Sequence, residues 1–170
     1  MNEMIHPVSL SPTSVRAILA GRKTQLRLIQ REPQWGPGSL LWVREPWCTN
    51  PPISPHPPEE TFLPPHEVQI LYKADAVEPP VPWYPAKTMA RWASRLSLRL
   101  EGIRPELLQL ISDEDLVREG RMWSENSLAR PGESEREGFA RWWDSIHSIP
   151  QEQWESNPAV WVLSFKPVQV

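Results

Sequence analysis

The sequence predicts an α+β fold: one domain over residues 1–170, built around a small mixed β-barrel with inserted helices and a long proline-rich loop. Three observations predict it. Several short segments read as strands, one of them at each end of the chain. Segments with helical spacing and their own start and stop signals stand between them. A proline-crowded run at 48–67 interrupts the pattern as an insertion within the domain. A chain of 170 residues suits a single hydrophobic core, and 39% hydrophobic with 23% charged residues is a globular balance.

Residues 5–10 read as an opening strand. Ser11 and Pro12 then start a helix, serine capping free N–H groups and proline suiting the first helical position. Val15, Ile18 and Leu19 keep helical spacing, and Gly21 supplies the left-handed stop. Residues 24–29 follow as a strand, Trp35-Gly36-Pro37-Gly38 as a turn, and 39–45 as a buried strand with Leu40-Leu41-Trp42-Val43 at its centre. From Pro46 to Pro65 the prolines exclude regular hydrogen-bonded structure, which predicts a long surface loop, either a lid or an inserted segment. A strand is predicted at 68–74. A second is predicted at 94–103, where Leu96, Leu98 and Leu100 alternate with Ser97, Arg99 and Glu101. Ser112 caps a helix rich in first-turn acids that ends at Gly120. Phe139, Trp142, Trp143 and Ile146 form the apolar stripe of a helix over 134–146, and 159–167 closes the chain as a strand.

A formal net charge of −3 argues against indiscriminate coating of a polyanion but leaves room for a local basic groove. Arg16, Arg22, Lys23, Arg27 and Arg31 come early and Lys87, Arg91, Arg95, Arg99 and Arg104 in the middle, while acids dominate from Glu106 onward. The single cysteine, Cys48, cannot form an internal disulfide. With no secretion signal and no membrane-length apolar run, the expected location is the cytoplasm, away from the membrane. The four histidines and Cys48 lack metal-ligand spacing, so no metal or cofactor is expected. Phosphate-loop, nucleophile-elbow and paired-acid motifs are absent, which argues against conventional kinases, dehydrogenases and serine hydrolases.

Four stretches carry more polar chemistry than a scaffold needs. In Gly21-Arg22-Lys23-Thr24-Gln25-Leu26-Arg27, cations directly after a helix stop either complement the helix dipole or point into a cleft. In Trp42-Val43-Arg44-Glu45-Pro46-Trp47, the Arg44–Glu45 pair either closes on itself or is held for a polar ligand. Along Lys87 to Arg95, Arg91 and Arg95 flank Trp92. This is a phosphate-plus-base surface if Trp92 faces a cleft, and ordinary scaffolding if it fills the core. Last is Glu119 beside Gly120, where a lone glutamate is usually solvated.

Taken in order, these stretches resemble the ASCH family of the PUA-like superfamily, most closely its stand-alone bacteriophage and prophage members. The carrying residues are Ala17-Ile18-Leu19-Ala20-Gly21-Arg22-Lys23-Thr24-Gln25, then Pro37-Gly38 with Leu40-Leu41-Trp42-Val43-Arg44-Glu45-Pro46-Trp47, then Tyr72-Lys73-Ala74-Asp75. Met89 with Arg91-Trp92-Ala93-Ser94-Arg95, Ile111-Ser112-Asp113-Glu114-Asp115 with Glu119-Gly120, and Asn157-Pro158 with Val160-Trp161-Val162 and Phe165 complete the set. The resemblance implies a PUA-like barrel that binds RNA or a modified nucleoside in a cleft beside the first helix. Some ASCH proteins hydrolyse the acyl amide of N4-acetylcytidine with a lysine, a threonine and a glutamate. Lys23 and Glu119 match the first and last, while Leu26 stands at the threonine position and Leu28 at a further polar one. A leucine supplies no nucleophile. Thr24 is the substitute hydroxyl, and Arg27 replaces the missing polar group if a bulge shifts the register.

Three functions follow as expectations. The first is a module binding single-stranded RNA or a nucleoside-like ligand through Gly21, Lys23, Arg27, Arg44, Glu45, Arg91 and Arg95, with Trp42 or Trp92 as stacking face. The second is an ASCH-type amidohydrolase or RNA-cleaving enzyme using Lys23, Thr24 and Glu119. The third is a phage accessory protein that captures a host protein with its proline-rich loop. Convergence of Lys23, Arg44 and Glu119 on one open pocket would favour the first two.

Overall fold

The chain signals resolve, in a computed structural model that describes residues 5–53, 68–124 and 130–169, into an α+β architecture of seven strands and three α-helices. The strands are β1 (Ile5–Ser9), β2 (Gln25–Leu28), β3 (Leu40–Arg44), β4 (Trp47–Asn50), β5 (Gln69–Tyr72), β6 (Leu96–Leu107) and β7 (Ala159–Gln169). The helices are α1 (Pro12–Leu19), α2 (Asp113–Arg118) and α3 (Glu135–Ile146). Five strands form one sheet in the order β1-β3-β6-β7-β2, and β4 with β5 forms a second. With β1 and β2 as its edges, the larger sheet is open among the described residues, not the closed barrel that the strand pattern predicts. No helix among these residues is long and apolar enough to cross a membrane.

The start and stop signals act as predicted. The Ser11 hydroxyl accepts from the Ser14 amide at 3.2 Å, Ser112 caps α2 by accepting from the Asp115 amide, and Ser134 with Glu137 forms a reciprocal capping box on α3. One stretch predicted as loop is strand instead. Pro46 does end β3, but Trp47–Asn50 pairs antiparallel with Gln69–Tyr72, Trp47 facing Tyr72 and Asn50 facing Gln69. Proline fixes only its own φ and the residue before it, so a chain can re-enter a sheet immediately after one. The rest of the proline-rich run, residues 54–67, lies outside the described residues.

Two compact units divide the chain, one of residues 1–16, 40–98 and 167–170 and one of 17–39 and 99–166. In the first, β1 runs parallel to β3, and Trp47, Met89 and Ala93 are buried with Trp42, Tyr72, Tyr84 and Trp92 packed around them. Trp47 meets Tyr84 and Trp92 edge-on at ring separations of 5.7 and 5.6 Å, the favoured geometry for aromatic pairs. In the second unit, β2 runs antiparallel to β7, Gln25 facing Ser164 and Leu28 facing Trp161. Its core joins Leu108, Ile111, Leu116, Trp123, Phe139, Trp143, Val160 and Val162. The predicted α3 stripe holds for Phe139 and Trp143, while Ile146 at its end is 49% exposed.

Packing of α3 sets up an opposition of sign at Gly138. Alanine there gains about 1 kcal/mol in helix propensity, but its Cβ would run into the Trp123 indole, and overpacking costs about 1–3 kcal/mol. Gly138→Ala is therefore expected to lower the urea midpoint of unfolding; a rise would show that Trp123 moves freely.

A buried ionic network as candidate functional site

The second unit gathers polar side chains onto one face of β2. Burial alternates from Lys23, which is buried, through Thr24, which is exposed, to Gln25, buried again with Arg27. Local geometry places Lys23 in that row. After α1 the chain turns at Gly21, where φ is +72°, and the amides of Arg22 and Lys23 both donate to the Ala17 carbonyl, at 2.9 and 3.1 Å. The Thr24 amide then donates to the Arg118 carbonyl at 2.9 Å, fastening the start of β2 to the end of α2. Gly120, with φ +90°, leaves room for the lysine stem: a Cβ there would stand 2.9 Å from Lys23 Cβ.

Glu119, which caps α2, receives two cations. Lys23 Nζ donates to its Oε2 at 2.6 Å and to its backbone carbonyl at 3.2 Å, while Arg27 Nη1 donates to its Oε1 at 2.7 Å. Arg27 also reaches Gln25 Oε1 at 2.8 Å, Glu106 Oε2 at 2.8 Å and Asp115 Oδ2 at 3.1 Å. Gln25 Nε2 donates to Asp115 Oδ1 at 3.2 Å, and Arg104 Nη2 closes the ring on Asp115 Oδ2 at 2.7 Å. Lys23 and Glu119 are only 2% and 1% exposed, so the pair is sealed rather than open. Lys23, Arg27, Arg104 and Arg118 are paired with Glu106, Glu114, Asp115 and Glu119, and this pairing is how the buried charges among them are tolerated.

The environment tunes these groups in opposite ways. Burial pulls the Lys23 amine below the ordinary lysine range; Glu119 opposes the shift by charge and hydrogen bond, and Arg27 adds to it. For Asp115, burial alone would raise the carboxyl, but hydrogen bonds from Gln25, Arg104 and Arg27 together with the Arg27 charge win and hold it below the usual range.

The other predicted residues behave differently. Thr24, the substitute hydroxyl, is exposed beside a buried lysine and is no member of the network, because adjacent residues of an extended chain point to opposite sides. Arg27 needs no bulge: β2 pairs regularly from Gln25 to Leu28, and the row 23, 25, 27 already faces Glu119. Leu26 is buried at 3% exposure. In the first unit Glu45 pairs with Arg95 rather than Arg44, through bonds of 2.9 and 3.1 Å, and Arg95 also grips Asp75 and lies 4.0 Å from the Tyr72 ring centroid. Burial pushes the Glu45 carboxyl up against the opposing pull of Arg95, and drives the Tyr72 phenol up to about 12. Arg44 lies over the Trp42 ring at 5.8 Å and donates to the Lys87 carbonyl. Trp92 packs on Trp47, as the core alternative has it, and Arg91 is exposed. Sequence reasoning missed Gln25, Glu106, Arg104 and Asp115 as members; the readable signal was the polar row Lys23, Gln25, Arg27 at strand spacing. Among the described residues no cluster of His, Cys, Asp or Glu is arranged to hold a metal ion.

No family model matches the chain, and no curated protein matches it. The crystal structure of protein EF3133 from Enterococcus faecalis V583, described under the family model DUF984, is similar with a TM-score of 0.49 at 11% identity, over 99% of this chain and 82% of that one. A likeness at that level carries no argument about what the chain does.

Two outcomes are expected of the network. Arg27→Met should destabilise more than Lys23→Met, since losing Lys23 leaves Glu119 still held by Arg27, whereas losing Arg27 strips a partner from three buried or half-buried carboxylates; breaking a buried pair costs about 3–5 kcal/mol. Urea unfolding of both variants checks the order. Asp115, depressed in the folded state, stabilises fully above its unfolded value of about 3.9. That contribution fades as pH falls through the lower folded value, so the stability gap between wild type and Asp115→Asn should shrink below about pH 4. A gap that stays constant from pH 6 to pH 3 contradicts the assignment.

Proposed function

We propose that the chain is a PUA-like protein of the ASCH type, of phage or prophage kind, that binds single-stranded RNA or a modified nucleoside. The observation that carries this reading is a hollow of about 430 Å³ lined by Gly21, Arg22, Val117, Gly120, Arg121 and Ser124. Its walls are the chain neighbours of Lys23 and Glu119, at the place the family resemblance assigns to the ligand. The volume lies in the range of about 300–1,000 Å³ usual for small-molecule sites. Arg22, which donates to the Gly120 carbonyl, and Arg121, which pairs with Glu135, are both exposed and put positive charge at the rim for phosphate or carbonyl oxygens.

Binding ranks ahead of hydrolysis. The buried lysine and the carboxylate 2.6 Å away make a pair able to exchange a proton, which supports the amidohydrolase reading. Against it, both groups are sealed, Leu26 carries no hydroxyl, and Thr24 faces away from the pair.

Filter binding of short single-stranded RNAs at low and high salt tests the proposal. Binding is expected at low salt, and the slope of log affinity against log salt should fall by roughly 1 for each of Arg22→Ala and Arg121→Ala. Absence of binding at low salt would remove the reading. Incubation with N4-acetylcytidine followed by mass spectrometry is expected to return the substrate unchanged; release of cytidine, lost in Lys23→Met, would reverse the ranking.

A further inference from the structure

A second hollow in the same unit, of about 170 Å³, opens beside the ionic network and is lined by Gln25, Gly102, Ile103, Arg104, Val162 and Ser164. Its floor is sheet. Gln25 on β2 faces Ser164 on β7, and Arg27 faces Val162. At Gly102 on β6 a Cβ would stand 2.8 Å from Ser164 Oγ, so a side chain there would crowd the hydroxyl that glycine leaves clear.

The polar groups around this hollow are chiefly donors. Gln25 spends one N–H on Asp115 and keeps a second. Arg104 reaches Asp115 and Glu106 through Nη2, its side chain is 47% exposed, and Nε with Nη1 carries three further N–H groups. Ser164 adds a hydroxyl. The local charge is already balanced, each cation of the network being paired with a carboxylate, so an anion gains little there and a neutral acceptor loses little. At about 30 Å³ of liquid volume per water, the space equals that of only five or six waters and suits one small ring.

We propose that this hollow is a subsite for a neutral, carbonyl-bearing group the size of a single small ring, its oxygen accepting from Ser164 and Arg104 with Gln25 on the wall. The inference is independent of RNA binding, which engages the other hollow.

The test is titration of the chain by protein-observed NMR with three probes of matched size: δ-valerolactam, cyclobutanecarboxylate and cyclohexanol. The lactam is expected to bind best, with shifts centred on Gln25, Gly102 and Ser164. Ser164→Ala should weaken it roughly fivefold, the worth of one neutral hydrogen bond, and Gly102→Ala should weaken it at least as much by displacing the hydroxyl. The carboxylate binding as tightly as the lactam, no lactam binding at all, or lactam binding that ignores both substitutions in folded protein would each overturn the proposal. RNA bound at low salt with no lactam binding would overturn the subsite alone. Lactam bound with no RNA binding would overturn the RNA reading alone.

Discussion

One guanidinium governs the second unit. Arg27 donates to Gln25 on its own strand, to Glu106 on β6, and to Asp115 and Glu119 at the two ends of α2. Its side chain is fully buried, so the several kcal/mol lost in taking a charge out of water is offset only if every one of those acceptors is in place. The requirement fixes geometry as much as energy. Helix α2 is barely two turns long and too short to be stable by itself; it is held by the carboxylates it presents to β2 and by Leu116 in the hydrophobic core. Lys23 then completes Glu119, and Gly120 gives its stem a path.

That arrangement makes the unit a balanced polar interior with hollows at its margins. The sealed pair supplies positioning and tuned proton affinity, while the exposed rim residues and the donors of the smaller hollow are what a ligand can reach. Under the RNA-binding proposal, attraction to phosphate would fall to exposed arginines and not to the paired, buried network, which is compatible with the acidic total charge.

Local signals were legible in the sequence and long-range ones were not. Serine caps, glycine stops and the alternation of Leu96, Leu98 and Leu100 each depend on near neighbours, and the elements they mark are present. A closed barrel depends on which strands meet, and pairing is settled by contacts far apart in sequence. Trp47–Asn50 was hidden by Pro46 for the converse reason: a strong local signal overstated its reach. The site divides the same way. Lys23 and Glu119 were singled out because a family resemblance supplied their partnership across 96 residues. Asp115 stands among the first-turn acids of a helix, Arg104 among the cations of a possible basic groove and Glu106 at the start of an acidic stretch; nothing local says that a strand arginine 88 residues from Asp115 will need it. Arg95 flanks Trp92 in a stretch that suits either a ligand surface or scaffolding, and only tertiary packing brings it to Glu45, Asp75 and the Tyr72 ring.

The central claim is that the lysine and the glutamate belong to one energetically coupled network rather than two neighbours in a crowded interior. A double-mutant cycle of Lys23→Met and Glu119→Gln, read by urea unfolding, measures that coupling directly. The account predicts an interaction energy of about 1–3 kcal/mol, with the double variant less destabilised than the sum of the single ones. Additive effects within about 0.3 kcal/mol would contradict it.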